Sequence, residues 1–390
     1  MRKSFTALIS AGLLISLQAC TQAPESSPPQ GRSLLFLDPA EQIEAYKRME
    51  DRADVATVPR GNSVRALPQA AGPEPDIAFT WKGEAMTIES YMEDFRVSGL
   101  LILKDGKIAL ERYALGRTPR DRWTSFSVAK SVTAILVGAA IKDGAIRSID
   151  DPVVRYIPDL AGSAYESVTV GQLLTMTSGV KWNEDYGDPN SDVAKAGQTA
   201  YDGKTNPIVA YMKRLPREAE PGTKFVYKTG ETDLAGILVS RATGKTLAEY
   251  ASEKLWKPYG MEQDAIWVRD VAGHERGGCC MSMTLRDYAR IGQFMLEGGA
   301  GVMSPEYVAA ATSNQVANAA DSPPDGYGYF WWITSSSYAA QGIFGQAIYV
   351  NPTENLIVAF NSAWPEADAG EFWAAQEAYI AAAAQELAAP

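Results

Sequence analysis

Apolar and polar residues first form a clear strand pattern near residue 100 of this 390-residue chain. The apolar run Val97–Leu103 is separated from a second segment, Ile108–Tyr113, by Asp105-Gly106. An Asp-Gly pair between two such segments favours a tight turn, so these residues predict an antiparallel β-hairpin. After residue 300 similar patterns return and predict strands at Tyr327–Ile333, Ile343–Val350 and Leu356–Asn361.

Between these strands apolar residues recur every three or four positions, which is typical of helices with one buried face. The clearest segment is Ser127–Lys142, where Val128, Val132 and Ile135 share a face. Further helices are predicted at 37–53, Val168–Met176, Thr232–Ala242, Leu247–Leu255, Leu285–Leu296 and Glu371–Leu387. We therefore predict an α+β fold, in which an antiparallel sheet flanked by terminal helices carries a mostly helical inserted region.

Composition divides the chain into three parts. Residues 1–19 begin with two basic residues and continue with an apolar run too short to span a bilayer, which is typical of a signal peptide. Residues 20–76 are rich in Pro, Ala, Gly and Ser and predict a tether and an N-terminal extension. The compact domain is then 77–390, with a sheet part at about 77–124 and 301–390 and a helical part at about 125–300.

The signal peptide ends in Leu17-Gln18-Ala19-Cys20, which is similar to a bacterial lipobox. In a lipobox the peptidase cleaves before the cysteine, which then carries lipids. The alternative is an ordinary signal peptide in which Cys20 has no role. Thr21 stands where an Asp typically marks retention at the inner membrane, so we expect an outer-membrane lipoprotein that faces the periplasm and contacts the membrane through Cys20.

Charge and rare residues exclude several kinds of function. The net charge is −11, from 36 basic and 47 acidic residues, which disfavours nucleic-acid binding. His274 is the only histidine, and we find no spaced cluster of metal ligands, so we expect no histidine triad, no metal and no cofactor. Cys279 and Cys280 are adjacent, and we interpret them as small buried residues because a bond between neighbours would close a strained ring; the alternative is an unusual redox role.

Ser127 and Lys130 stand three residues apart at the start of a predicted helix, so their side chains share one face. The helix N-terminus favours negative charge on the serine oxygen. Burial of a lysine lowers its pKa from about 10.4, and a neutral amine can accept the serine proton. We therefore predict Ser127 as a nucleophile and Lys130 as its base. The alternative is an N-capping serine beside a solvated lysine, because this spacing also occurs by chance.

Six stretches in order carry a resemblance to a known family: Glu111-Arg-Tyr113, Ser125-Phe-Ser-Val-Ala-Lys-Ser131, Leu173-Leu-Thr-Met-Thr-Ser-Gly179, Trp182-Asn-Glu-Asp-Tyr186, Tyr227-Lys-Thr-Gly-Glu-Thr-Asp233 and Gly342-Ile-Phe-Gly-Gln346. With them the chain resembles class C-type serine hydrolases of the β-lactamase fold. Within these it is most similar to 6-aminohexanoate-dimer (nylon oligomer) hydrolases and related carboxylesterases. The resemblance implies a β-lactamase/penicillin-binding-protein-like fold and acylation of Ser127, followed by attack of water.

The resemblance also implies roles for Tyr227 and Thr229. In the family a tyrosine, followed two residues later by a polar side chain, lies in the helical region, where Tyr227 can move a proton together with Lys130. The alternative for Tyr227 is a buried structural role. Lys228-Thr-Gly230 matches a triplet that these enzymes carry on a strand near the C-terminus, but here it lies inside the helical region. We therefore interpret the triplet as a coincidence.

A third motif is implied before the last hairpin, where Gly342 and Gln346 match the family. The resemblance implies an oxyanion hole built from the backbone amides of Ser127 and Ile343. Ala340 stands where the family usually has Lys or His. Because that cation commonly meets the carboxylate of β-lactams, its loss favours esters and linear amides as substrates.

Together these features predict a serine hydrolase that cleaves a small-molecule ester or linear amide. Ser127 is the expected nucleophile, and Lys130 and Tyr227 are the expected general base and acid. Tyr186 matches a tyrosine that contacts the substrate amide from a mobile loop in the nylon-oligomer enzymes, so we expect it to bind substrate together with Thr229, Gly342 and Gln346. The alternatives are a D-Ala peptidase or amidase, a weak β-lactamase, or a non-catalytic envelope lipoprotein that uses the fold for binding.

Overall fold

A computed structural model describes residues 33–334 and 336–388, so the signal peptide and Cys20 lie outside the described residues. The strands are β1 Val55–Val58, β2 Phe79–Trp81, β3 Glu84–Met86, β4 Val97–Lys104, β5 Lys107–Tyr113, β6 Trp123–Thr124, β7 Ala265–Val268, β8 Met281–Met283, β9 Trp332–Ile333, β10 Tyr338–Gly342, β11 Gln346–Asn351 and β12 Leu356–Ser362.

The helices are α1 Pro39–Lys47, α2 Ile88–Asp94, α3 Val128–Lys142, α4 Val170–Leu174, α5 Asp192–Ala196, α6 Pro207–Lys213, α7 Thr229–Thr243, α8 Leu247–Ala251, α9 Lys257–Tyr259, α10 Leu285–Leu296, α11 Pro305–Ala311 and α12 Gly370–Ala388. A π-helical turn, Ser252–Trp256, joins α8 to α9. In the described part of the chain, none of the helices combines the length and apolar character needed to cross a bilayer.

The main sheet has six antiparallel strands in the order β5-β4-β12-β11-β10-β9. Strand β12 pairs with both β4 and β11, so the two distant parts of the sequence meet in the middle of the sheet. Successive residues of β4 face two different cores, with Leu100 and Ile102 in one and Leu101 and Leu103 in the other. Both faces of the strand are buried, which explains its continuous apolar run. The predicted antiparallel sheet with a largely helical insertion is confirmed.

Two predicted strands are wrong in extent. Within Tyr327–Ile333 only the last two residues are a strand, because Phe330 has a φ of 56°, which an extended strand does not allow. The pattern predicts one strand over Ile343–Val350, whereas a turn separates β10 from β11, with the Gly345 N–H donating to the Gly342 carbonyl at 2.9 Å. Strand β10 was therefore missed by the sequence analysis.

The N-terminal extension belongs to the folded domain, so the predicted boundary at residue 77 is wrong. Strand β1 pairs with β7 in a second sheet of order β1-β7-β8-β6. Tyr46 on α1 is fully buried, and its ring centroid lies 5.0 Å from that of Phe126 and 5.7 Å from that of Phe344. The Pro- and Ala-rich composition of residues 54–80 hid this contribution.

Helix α3 runs through the centre of the protein. All residues from Val128 to Ala140 are buried, and the helix packs against α7 and β10. A helix with apolar residues on all sides is stable only where all of its sides are buried, and this explains the central position of α3. Its N-terminus begins one residue after Ser127, which places that serine at the junction of the helical part and the two sheets.

Candidate active site

Ser127 lies at the end of a sharp bend between β6 and α3. Phe126, immediately before it, has a φ of 43°, a left-handed conformation that is unfavourable for a bulky residue. The bend is held from β8, because the Ser125 N–H donates to the Met281 carbonyl at 2.7 Å and the Met281 N–H donates to Ser125 Oγ at 3.1 Å. The Ser127 hydroxyl is thus fixed at the helix N-terminus, with 8% of the residue exposed.

Lys130 reaches back along the same helix to Ser127. Its Nζ lies 3.0 Å from Ser127 Oγ, 3.0 Å from Thr229 Oγ1 and 2.8 Å from the Gly278 carbonyl oxygen. Only 1% of the residue is exposed, and burial lowers the pKa of the amine to about 8. The negative charges of Glu184 and Asp233 oppose this shift. About one tenth of the amine is therefore neutral at pH 7, and about half of it at pH 8.

Tyr227 lies against the same amine. Lys130 Nζ is 5.1 Å from the centroid of the Tyr227 ring, and that ring stacks on Trp332 with 5.5 Å between centroids. Burial raises the pKa of Tyr227 above its ordinary range, although a hydrogen bond with Ser127 acts in the opposite direction. The tyrosine is therefore a neutral hydroxyl beside the serine, able to carry a proton but not a stable charge.

Thr229 begins α7 and joins this group to Glu184, a residue that the sequence analysis did not select. The Thr229 N–H donates to Glu184 Oε2 at 2.9 Å, and its hydroxyl donates to Glu184 Oε1. The Tyr186 hydroxyl also donates to Glu184 Oε1, at 2.9 Å, and the indole of Trp182 donates to Oε2. The sequence feature that could have identified Glu184 is its position between two aromatic hydrogen-bond donors, Trp182 and Tyr186.

Asp233 and Gly278 complete the surroundings of Lys130, and sequence reasoning missed both. Asp233 is 3% exposed; it accepts the Gly278 N–H at 2.8 Å and an Arg276 N–H at 3.0 Å. A Cβ atom on Gly278 would lie 2.8 Å from the Thr229 carbonyl oxygen, so only glycine brings this loop so close to α7. No sequence pattern around these residues indicated the contact.

The Lys-Thr-Gly triplet lies at the start of α7 and not on the main sheet. Lys228 is fully buried; its Nζ donates to the Val226 carbonyl at 3.1 Å and lies 3.6 Å from a Glu231 oxygen. The lysine of the triplet is thus used within the helical region, which agrees with our interpretation of the triplet as a coincidence.

Gly342 and Ile343 bring the edge of β10 to the serine bend. A Cβ atom on Gly342 would lie 2.6 Å from the Ser125 carbonyl oxygen, so this close approach requires glycine. Among the hydrogen bonds of the described residues, none uses the backbone N–H of Ser127 or Ile343 as its donor. Two unoccupied amides beside a serine hydroxyl can accept a negatively charged oxygen.

Gln346 does not face this site. It is fully buried; its Oε1 accepts the Phe344 N–H at 3.3 Å, and its Nε2 donates to the Ser362 carbonyl at 2.9 Å. The side chain stabilises the turn that follows Gly342. The predicted contact with substrate is therefore not retained for this residue.

A cleft of about 530 Å³ lies next to Tyr227 and Glu184, two of the residues around Ser127 and Lys130. Tyr186, Tyr227, Trp332, Gly342 and Ile343 line it, so a substrate bound there would contact Tyr227, which hydrogen-bonds with Ser127. Four acidic residues also line it, and we call them the cleft carboxylates: Glu184, Asp185, Asp368 and Glu377. Within the described ranges none of the four forms an ion pair with Lys or Arg, and no basic residue lines the cleft. The cleft lining is therefore negatively charged, although Glu184 also interacts through its charge with the nearby Lys130 and Arg276 side chains.

Cys279 and Cys280 follow Gly278 and are joined by a disulfide, which corrects our expectation of two separate thiols. The Cys280 N–H donates to the Phe126 carbonyl at 3.5 Å, so the pair lies against the serine bend. Elsewhere in the described chain, no grouping of three or more His, Cys, Asp or Glu side chains could hold a metal ion.

Residues 85–382 match the family described as Beta-lactamase, which covers most of the chain. The chain belongs to the beta-lactamase family. This beta-lactamase-family protein is 31% identical over 300 residues to the 6-aminohexanoate-dimer hydrolase of Paenarthrobacter ureafaciens, covering 72% of this chain and 76% of that protein. The predicted family is therefore confirmed, and the protein is a serine hydrolase.

Two further comparisons cover different shares of the protein. A solved structure from Bacillus anthracis, provisionally named a 6-aminohexanoate-dimer hydrolase, superposes with a TM-score of 0.79 over 88% of this chain and 94% of that chain, at 22% identity, which shows a shared fold. A provisionally named D-alanyl-D-alanine carboxypeptidase of Escherichia coli K12 is 30% identical over 118 residues, 29% of this chain and 26% of that protein.

Proposed function

We propose that this beta-lactamase-family hydrolase cleaves a small ester or linear amide through an acyl-enzyme on Ser127. The observation that carries the proposal is the buried Lys130 amine, whose pKa is lowered to about 8 and whose Nζ lies 3.0 Å from Ser127 Oγ. A lysine with a pKa of about 10.4 would be almost wholly charged at neutral pH and could not act as a base.

In the first half of the reaction, Lys130 takes the Ser127 proton while Oγ attacks the carbonyl carbon. The carbonyl oxygen becomes an oxyanion that accepts hydrogen bonds from the amides of Ser127 and Ile343. Tyr227 then passes the proton from Lys130 to the leaving oxygen or nitrogen as the bond to carbon breaks. The neutral hydroxyl of Tyr227 and its position against the amine support this role.

In the second half, water attacks the acyl-enzyme. Lys130, neutral again after the first half, takes a proton from the water as its oxygen adds to the carbonyl carbon. The bond to Ser127 Oγ breaks, and the proton returns to that oxygen. The acid leaves, and both residues regain their starting states. Tyr186 and Thr229 line or border the cleft and are proposed to contact the substrate.

The cleft favours substrates without a carboxylate near the reacting bond. The cleft carboxylates repel an anion, and the buried Ala340 supplies no cation on β10. β-Lactams and peptides ending in D-Ala carry such a carboxylate. The relative with 31% identity is named for a linear amide dimer, so we propose esters and linear amides as the substrate class.

Labelling with a fluorophosphonate probe, followed by mass spectrometry, tests the nucleophile. We expect one adduct on Ser127 and hydrolysis of p-nitrophenyl acetate or the 6-aminohexanoate dimer above that of nitrocefin. Ser127→Ala should abolish labelling and turnover, while the exposed control Ser63→Ala should retain both. Unchanged turnover in a folded Ser127→Ala variant would refute the mechanism, and no labelling of the wild type would favour the non-catalytic binding protein.

We further propose that the hydrolase is a lipoprotein of the outer membrane, anchored at Cys20 and facing the periplasm. The proposal is supported by the Leu17–Cys20 pattern and by Thr21 after it. Expression with radiolabelled palmitate should label the wild type and leave Cys20→Ser unlabelled. Recovery of both proteins in the soluble periplasmic fraction would contradict the anchor.

A further inference from the structure

We infer that Glu184 is a positioning residue, which acts through Thr229 to direct the lone pair of Lys130 towards the Ser127 hydroxyl. The inference rests on the proposed function and adds to it a residue that decides whether the base faces its proton. It follows from counting donors and acceptors around the amine.

Lys130 Nζ has three oxygen neighbours: Ser127 Oγ and Thr229 Oγ1 at 3.0 Å and the Gly278 carbonyl at 2.8 Å. A neutral amine has two N–H donors and one lone pair. The Gly278 carbonyl can only accept, so it takes one of the two N–H groups. Whether the lone pair faces Ser127 then depends on Thr229, because a hydroxyl can either donate or accept.

Glu184 removes this freedom from Thr229. An ionised carboxylate is only an acceptor, and it receives both the Thr229 hydroxyl proton and, at 2.9 Å, the Thr229 N–H. With its one proton used, the Thr229 oxygen can only accept from Lys130. The second N–H of the amine is therefore assigned to Thr229, and the lone pair remains for the Ser127 proton.

Glu184 is itself held by further donors. The Tyr186 hydroxyl donates to it at 2.9 Å and the Trp182 indole donates to its other oxygen, so each oxygen receives two hydrogen bonds. A glutamine at this position would turn an NH₂ group towards donors and would leave some of them without an acceptor. Thr229 could then donate to the Lys130 lone pair, and the amine would present an N–H to the serine.

Glu184 also acts on Lys130 through its charge. Its negative charge opposes the lowering of the Lys130 pKa by burial. Removal of that charge lowers the pKa of Lys130 further, so the pH at which acylation reaches half of its maximum should move to lower pH. A purely structural role would lower the yield of folded protein without moving this midpoint.

The test measures the acylation rate with p-nitrophenyl acetate for Glu184→Gln, Thr229→Val and the double variant, with circular dichroism to establish folding. We expect each single variant to lose about 10- to 100-fold in acylation rate with KM changed less than about threefold, because geometry and not binding is altered. The double variant should be no slower than the worse single variant, because both changes break one relay. Thr229→Ser, which keeps the hydroxyl, should acylate at least about threefold faster than Thr229→Val.

Asp188→Asn is the matched control, because it changes a carboxylate to an amide in the same loop, where the Asp188 carboxylate accepts the Asn190 N–H at 2.7 Å. Multiplied losses in the double variant, or an unchanged pH midpoint in Glu184→Gln, would overturn the inference. If Glu184→Gln does not fold, the inference is tested by comparing the acylation rates of Thr229→Ser and Thr229→Val. Equal rates in these two variants would exclude a relay through the Thr229 hydroxyl. Loss of activity in Ser127→Ala with full activity in Glu184→Gln would reject this inference and leave the proposed function standing.

Discussion

Replacement of Lys130 by methionine should abolish turnover and, at the same time, change how the stability of the fold depends on pH. Methionine has a similar length and no charge, so the buried position stays filled. In the wild type, burial lowers the pKa of this amine from 10.5 to about 8. Folding therefore disfavours the charged form of Lys130, and the methionine variant does not have this free-energy cost of burying a charge.

The sign and size of this change in the pH dependence of stability follow from proton linkage. Between pH 8 and pH 10.5 the unfolded chain retains the Lys130 proton and the native state has lost it, so this residue makes wild-type stability rise with pH in that window. One pKa unit corresponds to about 1.36 kcal/mol. Between about pH 7 and pH 9.5, the free energy of unfolding of the wild type minus that of the variant should rise by about 2 kcal/mol.

At pH 7 the two proteins should differ less. The full shift corresponds to about 3 kcal/mol in favour of the variant. Methionine, however, leaves the Gly278 carbonyl without its donor, which costs about 1–3 kcal/mol. The inactive variant should thus be as stable as the wild type or more stable.

Urea unfolding at about pH 7 and pH 9.5, followed by circular dichroism, measures both free energies. The buried tyrosines titrate in both proteins, so their contribution cancels in the difference. Lys142→Met, at the exposed end of the same helix, controls for the loss of a positive charge. Parallel pH dependence of the wild type and Lys130→Met would refute the lowered pKa and, with it, the proposed base.

The remaining predictions concern the pH profile of acylation, the loop residue Gly278 beside Lys130, the cleft carboxylates and helix α1. The acylation rate should rise about tenfold per pH unit below pH 8 and level off above it; a profile that is flat from pH 6 would exclude Lys130 as the base. Gly278→Ala should slow acylation at least about tenfold and lower stability by about 1–3 kcal/mol in urea unfolding, because its Cβ would lie 2.8 Å from the Thr229 carbonyl oxygen; wild-type rates would contradict the contact. At low salt, p-nitrophenyl esters with an ammonium group should have a kcat/KM about tenfold above matched carboxylate esters, and the ratio should shrink in 0.5 M NaCl; a salt-independent ratio would exclude an effect of the cleft carboxylates. Tyr46→Ala should cost about 3–5 kcal/mol of stability by urea unfolding, whereas a loss below about 1 kcal/mol would show that α1 is dispensable.

The sequence predicted those elements and contacts that depend on residues close together in the chain. The Asp-Gly hairpin, helix α3 and helix α10 were found because turn chemistry and apolar spacing act within a few residues. The Ser127–Lys130 pair was found for the same reason, since helical spacing brings the two side chains together. The position of Tyr227 required the family resemblance, because nearly one hundred residues separate it from Lys130 in the sequence.

Contacts that depend on tertiary packing were not predictable. Glu184 and Gly278 meet Thr229 through loops whose conformations leave no periodic signal. Strand β1 is short and lies beside a Pro-rich segment, so only its pairing with β7 identifies it. Gln346 was assigned to substrate because it belongs to a family motif, yet its side chain stabilises a turn. A motif identifies a position, whereas the neighbours of a residue decide its role.

If Cys20 is lipidated, the packing of α1 on the serine bend would limit how far the hydrolase can move from the membrane. With Cys20 lipidated, as we propose, sixteen residues, 21–36, lie between the lipid and Leu37, which is buried with Tyr46 and Phe126. Sixteen residues span at most about 55 Å, compared with about 190 Å had the tether extended to residue 76. The enzyme would then work in a layer about one protein diameter thick above the lipid surface, and its substrates would have to enter that layer.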